Sequence, residues 1–149
     1  MGANGVPGGT PPQHHNVPII LEILMLKQKE VVTVLPAADL DRARMFYHDK
    51  LELDPDEQYG DNLLYRVGNG SAFELYQTPN AGTAQNTQMC WMTDDLEGEM
   101  ARLRERGVMF EDYDIPGVKT VDGIATEDNM RTAWFRDSEG NFLCISQLM

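Results

Sequence analysis

Apolar positions change period twice in each half of the chain. Val31, Val32, Val34 and Leu35 form a β-branched run closed by Pro36, which predicts a strand. Asp39 then stands where a helix N-cap belongs. Ala43, Phe46, Tyr47 and Leu51 follow at helical spacing, so a helix is expected over about 40–51. Short runs of alternating character come next, predicting strands at about 53–58, 62–67 and 72–77, the last two joined by the turn Gly68-Asn69-Gly70.

After a loop over 78–85 the order returns. A strand is expected at 88–93. Asp94-Asp95 caps a second helix, about 96–106, which Gly107 ends. Another strand is expected at 108–113. The residues from Asp114 to Asn129 are expected as a long loop, a lid or an ordinary surface excursion, with Gly117 and Gly123 as flexible points. Strands at 132–136 and 141–147, joined by Asp137-Ser138-Glu139-Gly140, close the chain. A strand, an Asp and an amphipathic helix therefore recur at an interval of about sixty residues, which implies two similar β-α-β-β-β modules.

Composition narrows the function. The chain has 149 residues, enough for one domain. Hydrophobic content of 42% and charged content of 24% are those of an ordinary globular chain. A net charge of −12 without a Lys/Arg patch argues against nucleic acid and against anionic membranes as partners. Val17–Leu26 is too short for a membrane span and carries Glu22, and it lacks the flanks of a signal peptide. A cytoplasmic location is expected. Cys90 and Cys144 lie in apolar runs and read as buried free thiols. Residues 1–29 read as a tail, Gly/Pro-rich and unstructured over 1–16 and undecided between strand and helix beyond that. The domain is expected over 30–149, with modules at about 30–78 and 86–149.

The segments VTVLPAADLDRARMFYHDKLEL, CWMTDDLEGEMARLRERGV and AWFRDSEGNFLCIS resemble the vicinal oxygen chelate superfamily, the group of glyoxalase, bleomycin-resistance and ring-cleaving dioxygenase proteins. The resemblance spans about residues 31–147 and implies an α+β fold. In that fold two βαβββ modules form a curved, cavity-enclosing mixed sheet with helices on the convex face, and small members are homodimers. It also implies four metal-ligand slots, which fall here at Val32 (or Thr33 with a one-residue slip), Glu74, Gln88 and Cys144. Val32 cannot ligate, Gln88 is a weak neutral donor, and Cys144 lies between Leu143 and Ile145. A tightly held divalent metal, with Glu74 and Gln88 as its weak candidates, is therefore not expected, and no other cofactor is.

Strand alternation offers a different site. If Glu74 points away from Phe73 and Leu75, then Tyr76, Gln88, Cys90, Met92, Trp134 and Cys144 share its cavity. Apolar and aromatic walls around a carboxylate and an amide suit a flat or aromatic small molecule. Three functions stay open. The first is a metal-independent protein that sequesters such a ligand. The second is a metal-dependent lyase, isomerase or dioxygenase. The third is a metal-free enzyme with Glu74 as its base.

Overall fold

The computed structural model describes residues 25–149. The Gly/Pro-rich tail and most of Val17–Leu26 lie outside that range. The chain divides at Glu30 into two units. Of the first, the described part is a single 3-10 turn, Leu26–Gln28.

The second unit, Val31–Met149, holds ten strands and two α-helices in the α+β arrangement that the repeat predicts. Strand β1 (Val32–Ala37), helix α1 (Leu40–Leu51), and strands β2 (Glu57–Tyr59), β3 (Asn62–Val67) and β4 (Ser71–Gln77) form the first module. Its sheet runs β1-β4-β3-β2, with β1 parallel to β4 and the other pairs antiparallel. The second module begins with β5 (Thr87–Met92) and helix α2 (Leu96–Glu105). It ends with β8 (Ile124–Glu127), β9 (Met130–Arg136) and β10 (Phe142–Leu148). Here β5 is parallel to β10, and β9 and β8 follow antiparallel, so the first module's pattern is repeated.

Both helices start as the Asp residues dictate. Asp39 accepts from the Arg42 N–H at 3.0 Å and Asp95 from the Gly98 N–H at 3.1 Å, each satisfying a donor that the first turn leaves open. Helix α1 presents Ala43 and Tyr47 to the core, and α2 presents Leu96 and Met100. One cluster joins these to Leu35, Leu63, Tyr65, Phe73 and Leu75 of the first sheet and to Ala133, Phe135, Leu143 and Ile145 of the second. The opposite face of each sheet carries no helix.

Three expectations need correction. The strand expected over 53–58 is the shorter and later Glu57–Tyr59. The strand expected over 108–113 is a single bridge, Phe110 to Phe135, with the Glu111 N–H donating to the Trp134 carbonyl. The expected loop from Asp114 to Asn129 is instead three strands: β6 (Asp114–Ile115), β7 (Val118–Val121) and β8. They carry the second sheet to six strands, β5-β10-β9-β8-β7-β6. The cause is legible in the backbone. Asp122 and Gly123 both have positive φ, 53° and 80°, as a tight two-residue hairpin of matching twist requires. Gly123 thus occupies a defined turn position.

Candidate functional site

The apolar alternation of β4 decides where Glu74 points. Phe73 and Leu75 are buried against the helices, so Glu74 faces the other way, with Ala72 and Tyr76. In register on that face stand Val34 of β1 and Leu64 of β3. Arg66 and Arg131 pair with Glu57 and Glu97. The partner of Glu74 is Tyr59 of β2, whose hydroxyl donates to Oε2 at 2.6 Å. That hydrogen bond, ahead of burial, raises the Tyr59 pKa. Val32, Val34 and Tyr76 lie partly open to solvent around the pair.

On the second sheet the face away from the helix carries Cys90 and Met92 from β5, Thr132 and Trp134 from β9, and Cys144 and Ser146 from β10. Cys144 and Cys90 are register partners, and so are Cys144 and Trp134. Trp134 donates its indole N–H to Thr87 Oγ1 at 3.0 Å and meets the Tyr113 ring edge-on. Cys144 is buried as expected, but Cys90 is exposed, a correction to the reading of two buried thiols. An edge strand has a neighbour on one side only, and β5 is the edge of its sheet, so Cys90 is covered from the β10 side alone.

Gln88 is committed elsewhere. Its Nε2 donates to Asn141 Oδ1 and its Oε1 accepts the Phe142 N–H, both at 3.0 Å. The register between β5 and β10 slips at Phe142/Leu143, which leaves that N–H without a strand partner, and the Gln88 amide takes the place of one. One of its two amide hydrogens and one lone pair of its carbonyl are thereby engaged within the sheet.

Of the clefts that touch these faces, two hold residues expected at the cavity together with their strand neighbours. One, about 440 Å³, runs between the sheets and is lined by Val31, Thr33, Ala72, Cys90, Trp91 and Met92 among others. The other, about 260 Å³, is formed by β8 and β9 around Ala125, Met130, Thr132 and Trp134. Glu74 and Tyr76 belong to neither. Within one chain the expected cavity residues are thus split. Cys90 and Met92 share the first cleft, Trp134 lines the second, and Glu74 and Tyr76 lie on the open face of the other sheet.

The donor set does not suit a tightly held metal. Val34 and Leu64 flank Glu74, the Gln88 amide is engaged within the sheet, and Cys144 has only a thiol opposite it. Among the described residues no three His, Cys, Asp or Glu side chains come together as a metal centre would require.

The turn after β9 holds a polar network that the sequence reading passed over as a hairpin. Buried Asp137 accepts from the Glu139 and Asn141 N–H groups through Oδ1 (2.9 Å each). Its Oδ2 accepts from Tyr47 Oη and Asn141 Nδ2 (2.8 Å each). Glu139 receives the Arg42 guanidinium at both oxygens, and the Asp39 N–H at Oε1. Asn141 also donates to the Pro36 carbonyl. The turn of the second module therefore clamps the start of α1 in the first. Burial raises the Asp137 pKa against the pull of these hydrogen bonds. For Glu139 burial is the largest single influence, yet Arg42, Asp39 and Ser138 together outweigh it and hold the carboxylate below its ordinary range. The spacing of Asp137, Glu139 and Asn141 around Gly140 was the available signal.

Comparison with known proteins agrees with this architecture. The model of the Glyoxalase/Bleomycin resistance protein/Dioxygenase superfamily matches residues 30–145. No curated protein matches. Among solved structures, UcmS2 superposes with a TM-score of 0.62 at 18% identity, over 79% of this chain and 96% of that one. TnmS3, an antibiotic binding protein from Streptomyces sp. CB03234, superposes with a TM-score of 0.60 at 23% identity, over 84% and 99%. A glyoxalase/bleomycin resistance protein from Catenulispora acidiphila DSM 44928 does so with a TM-score of 0.57 at 17% identity, over 80% and 98%.

Proposed function

The chain belongs to the glyoxalase/bleomycin resistance protein/dioxygenase superfamily, and within it we propose a metal-independent binding protein that sequesters a flat or aromatic small molecule on the helix-free faces of its sheets. The observation that carries this reading is the environment of Glu74. A carboxylate with Val34 and Leu64 in register beside it, and a phenol as its bonded partner, is built to meet a polar group of a ligand rather than to share an ion. Tyr76, Met92 and Trp134 supply apolar and aromatic surface, and the likeness to TnmS3, an antibiotic binding protein, supports a binding role. The lyase, isomerase or dioxygenase reading needs a coordination sphere that these neighbours do not supply.

The split of these residues over two open faces favours a homodimer whose chains complete each other's cavity. Strands β1 and β5 are sheet edges, and Val32, Val34 and Met92 on them are exposed. The acidic net charge leaves nucleic acid and anionic membrane outside the proposal, and no described helix is long and apolar enough to cross a membrane.

Elemental analysis of the purified protein beside Glu74→Gln tests the reading. The account expects no divalent metal near stoichiometry in either protein. It also expects affinity for a cationic aromatic ligand to fall about tenfold on losing the charge, the scale of one charge-assisted hydrogen bond. Near-stoichiometric metal that disappears in Glu74→Gln would overturn it and restore the enzyme.

A further inference from the structure

The second sheet places two thiols in register on one face. Cys144 of β10 lies directly opposite Cys90 of β5 across a parallel pair. Adjacent strands are separated by about 4.8 Å, inside the Cα–Cα window of about 4.4–6.8 Å that a disulfide requires. Both thiols are free. Their exposures differ sharply: Cys90 is open to solvent on the edge strand, and Cys144 is only 5% exposed behind it. Cys90 Sγ also lies 3.2 Å from Ser146 Oγ, which in turn lies 2.8 Å from Thr132 Oγ1. None of these groups has a part in the fold's polar clamp or beside Glu74.

We propose that Cys90 and Cys144 are a thiol–disulfide exchange site for low-molecular-weight disulfides, with Cys90 as the attacking sulfur and Cys144 as the resolving one. The exchange shares the helix-free face with the proposed ligand, since Cys90 lines the same cleft as Met92, but neither step needs Glu74. In the first step the Cys90 thiolate forms a bond to one sulfur of the external disulfide and expels the other as a thiolate. In the second, Cys144 gives its proton to water and attacks Cys90 Sγ, and the second external thiolate leaves. The protein gives up two protons and two electrons, and the external disulfide becomes two thiols.

The roles follow from the surroundings. Exposure lets a disulfide reach Cys90 and not Cys144. Cys90 Sγ lies 3.2 Å from Ser146 Oγ, a hydroxyl that can stabilise a thiolate there. Cys144, buried behind the edge strand, meets a disulfide only after Cys90 has captured it. An accessible thiolate beside a shielded second thiol is the arrangement of redox-responsive cysteines.

Intact-mass spectrometry of the folded full chain after exposure to oxidised glutathione tests this. Wild type should lose two hydrogens and carry no glutathione. Cys144→Ala should stop as a glutathione adduct at Cys90, and Cys144→Val provides a second resolving-site variant if the alanine protein folds poorly by circular dichroism. Cys90→Ser should stay unmodified. A wild-type protein that retains the adduct, or that stays reduced while its fold is intact, would overturn the proposal. So would a Cys90→Ser protein that reacts as fast as wild type.

Discussion

The two modules share a topology and divide the work. In the first, the turn between β3 and β4 is Gly68-Asn69-Gly70, exposed and free of long-range bonds in the described structure. In the second, the equivalent turn between β9 and β10 is Asp137–Asn141, buried and bonded to α1 of the other module. The open faces differ as well. The first presents a carboxylate held by a phenol, and the second presents two thiols, a methionine and an indole. A repeated backbone thus carries one exposed turn and one clamp, one charged face and one soft face. The repeat specifies where strands and helices go, and the side chains alone specify what each copy does.

The sharpest way to break this comparison is to cut the clamp. Asp137→Ala leaves the Tyr47 hydroxyl, two backbone N–H groups and the Asn141 amide short of an acceptor. It should cost about 3–5 kcal/mol in chemical denaturation, the range for breaking a buried charged network. The corresponding change on the exposed turn, Asn69→Ala, should move the midpoint by less than about 0.5 kcal/mol. Equal effects would mean that the turns are equivalent after all.

Two neighbouring tyrosines sharpen the same contrast within one core. The rings of Tyr47 and Tyr65 lie 5.5 Å apart, and both residues are buried. Tyr47 Oη donates to Asp137, whereas Tyr65 Oη has no hydrogen-bond partner among the described residues. Burial pushes the Tyr47 pKa well up, with Asp137 adding to it, and pushes Tyr65 to about 12. Tyr47→Phe should destabilise by about 1.5–3 kcal/mol, the value of a hydrogen bond to a charged group. Tyr65→Phe should be neutral or stabilising by about 1 kcal/mol, because it removes a hydroxyl that burial leaves unsatisfied. Thermal melts of the two variants read the difference in sign directly.

A smaller effect probes the insertion that only the second module has. Gly123 has φ of 80°, and a Cβ there would meet an Arg104 guanidinium nitrogen and the Met100 methyl, each at 3.2 Å. Gly123→Val should therefore cost about 1–2 kcal/mol through a strained backbone and crowding. A lid-like loop would absorb the same change without loss.

Much of this was legible beforehand because it rests on local rules. The Asp39 and Asp95 caps, the helical spacing of Ala43 and Tyr47, and the alternation around Glu74 all act within a few residues. Glu74 accordingly faces where its neighbours Phe73 and Leu75 require. What was missed depends on contacts distant in sequence or on turn chemistry read too loosely. The Asp122-Gly123 pair between Val121 and Ile124 is a hairpin signal, whereas length alone suggests a loop with Gly123 as a flexible point. Gln88 is placed in the cavity by the resemblance and by strand alternation, whereas a one-residue slip against β10 engages its amide with Asn141 and Phe142. No local pattern announces that slip. The exposure of Cys90 likewise depends on β5 being an edge, which is a property of the sheet and not of the run Met89-Cys90-Trp91.

The most direct test of metal-independent binding is a tryptophan-fluorescence titration with planar aromatic antibiotics, run with and without a chelator. Trp134 stands on the open face, and Trp91 packs into the core beside Phe73 and Phe135. The account predicts saturable quenching by at least one such compound, unchanged by the chelator and lost in Trp134→Phe. Quenching that requires added divalent metal, or that survives intact in Trp134→Phe, would contradict it.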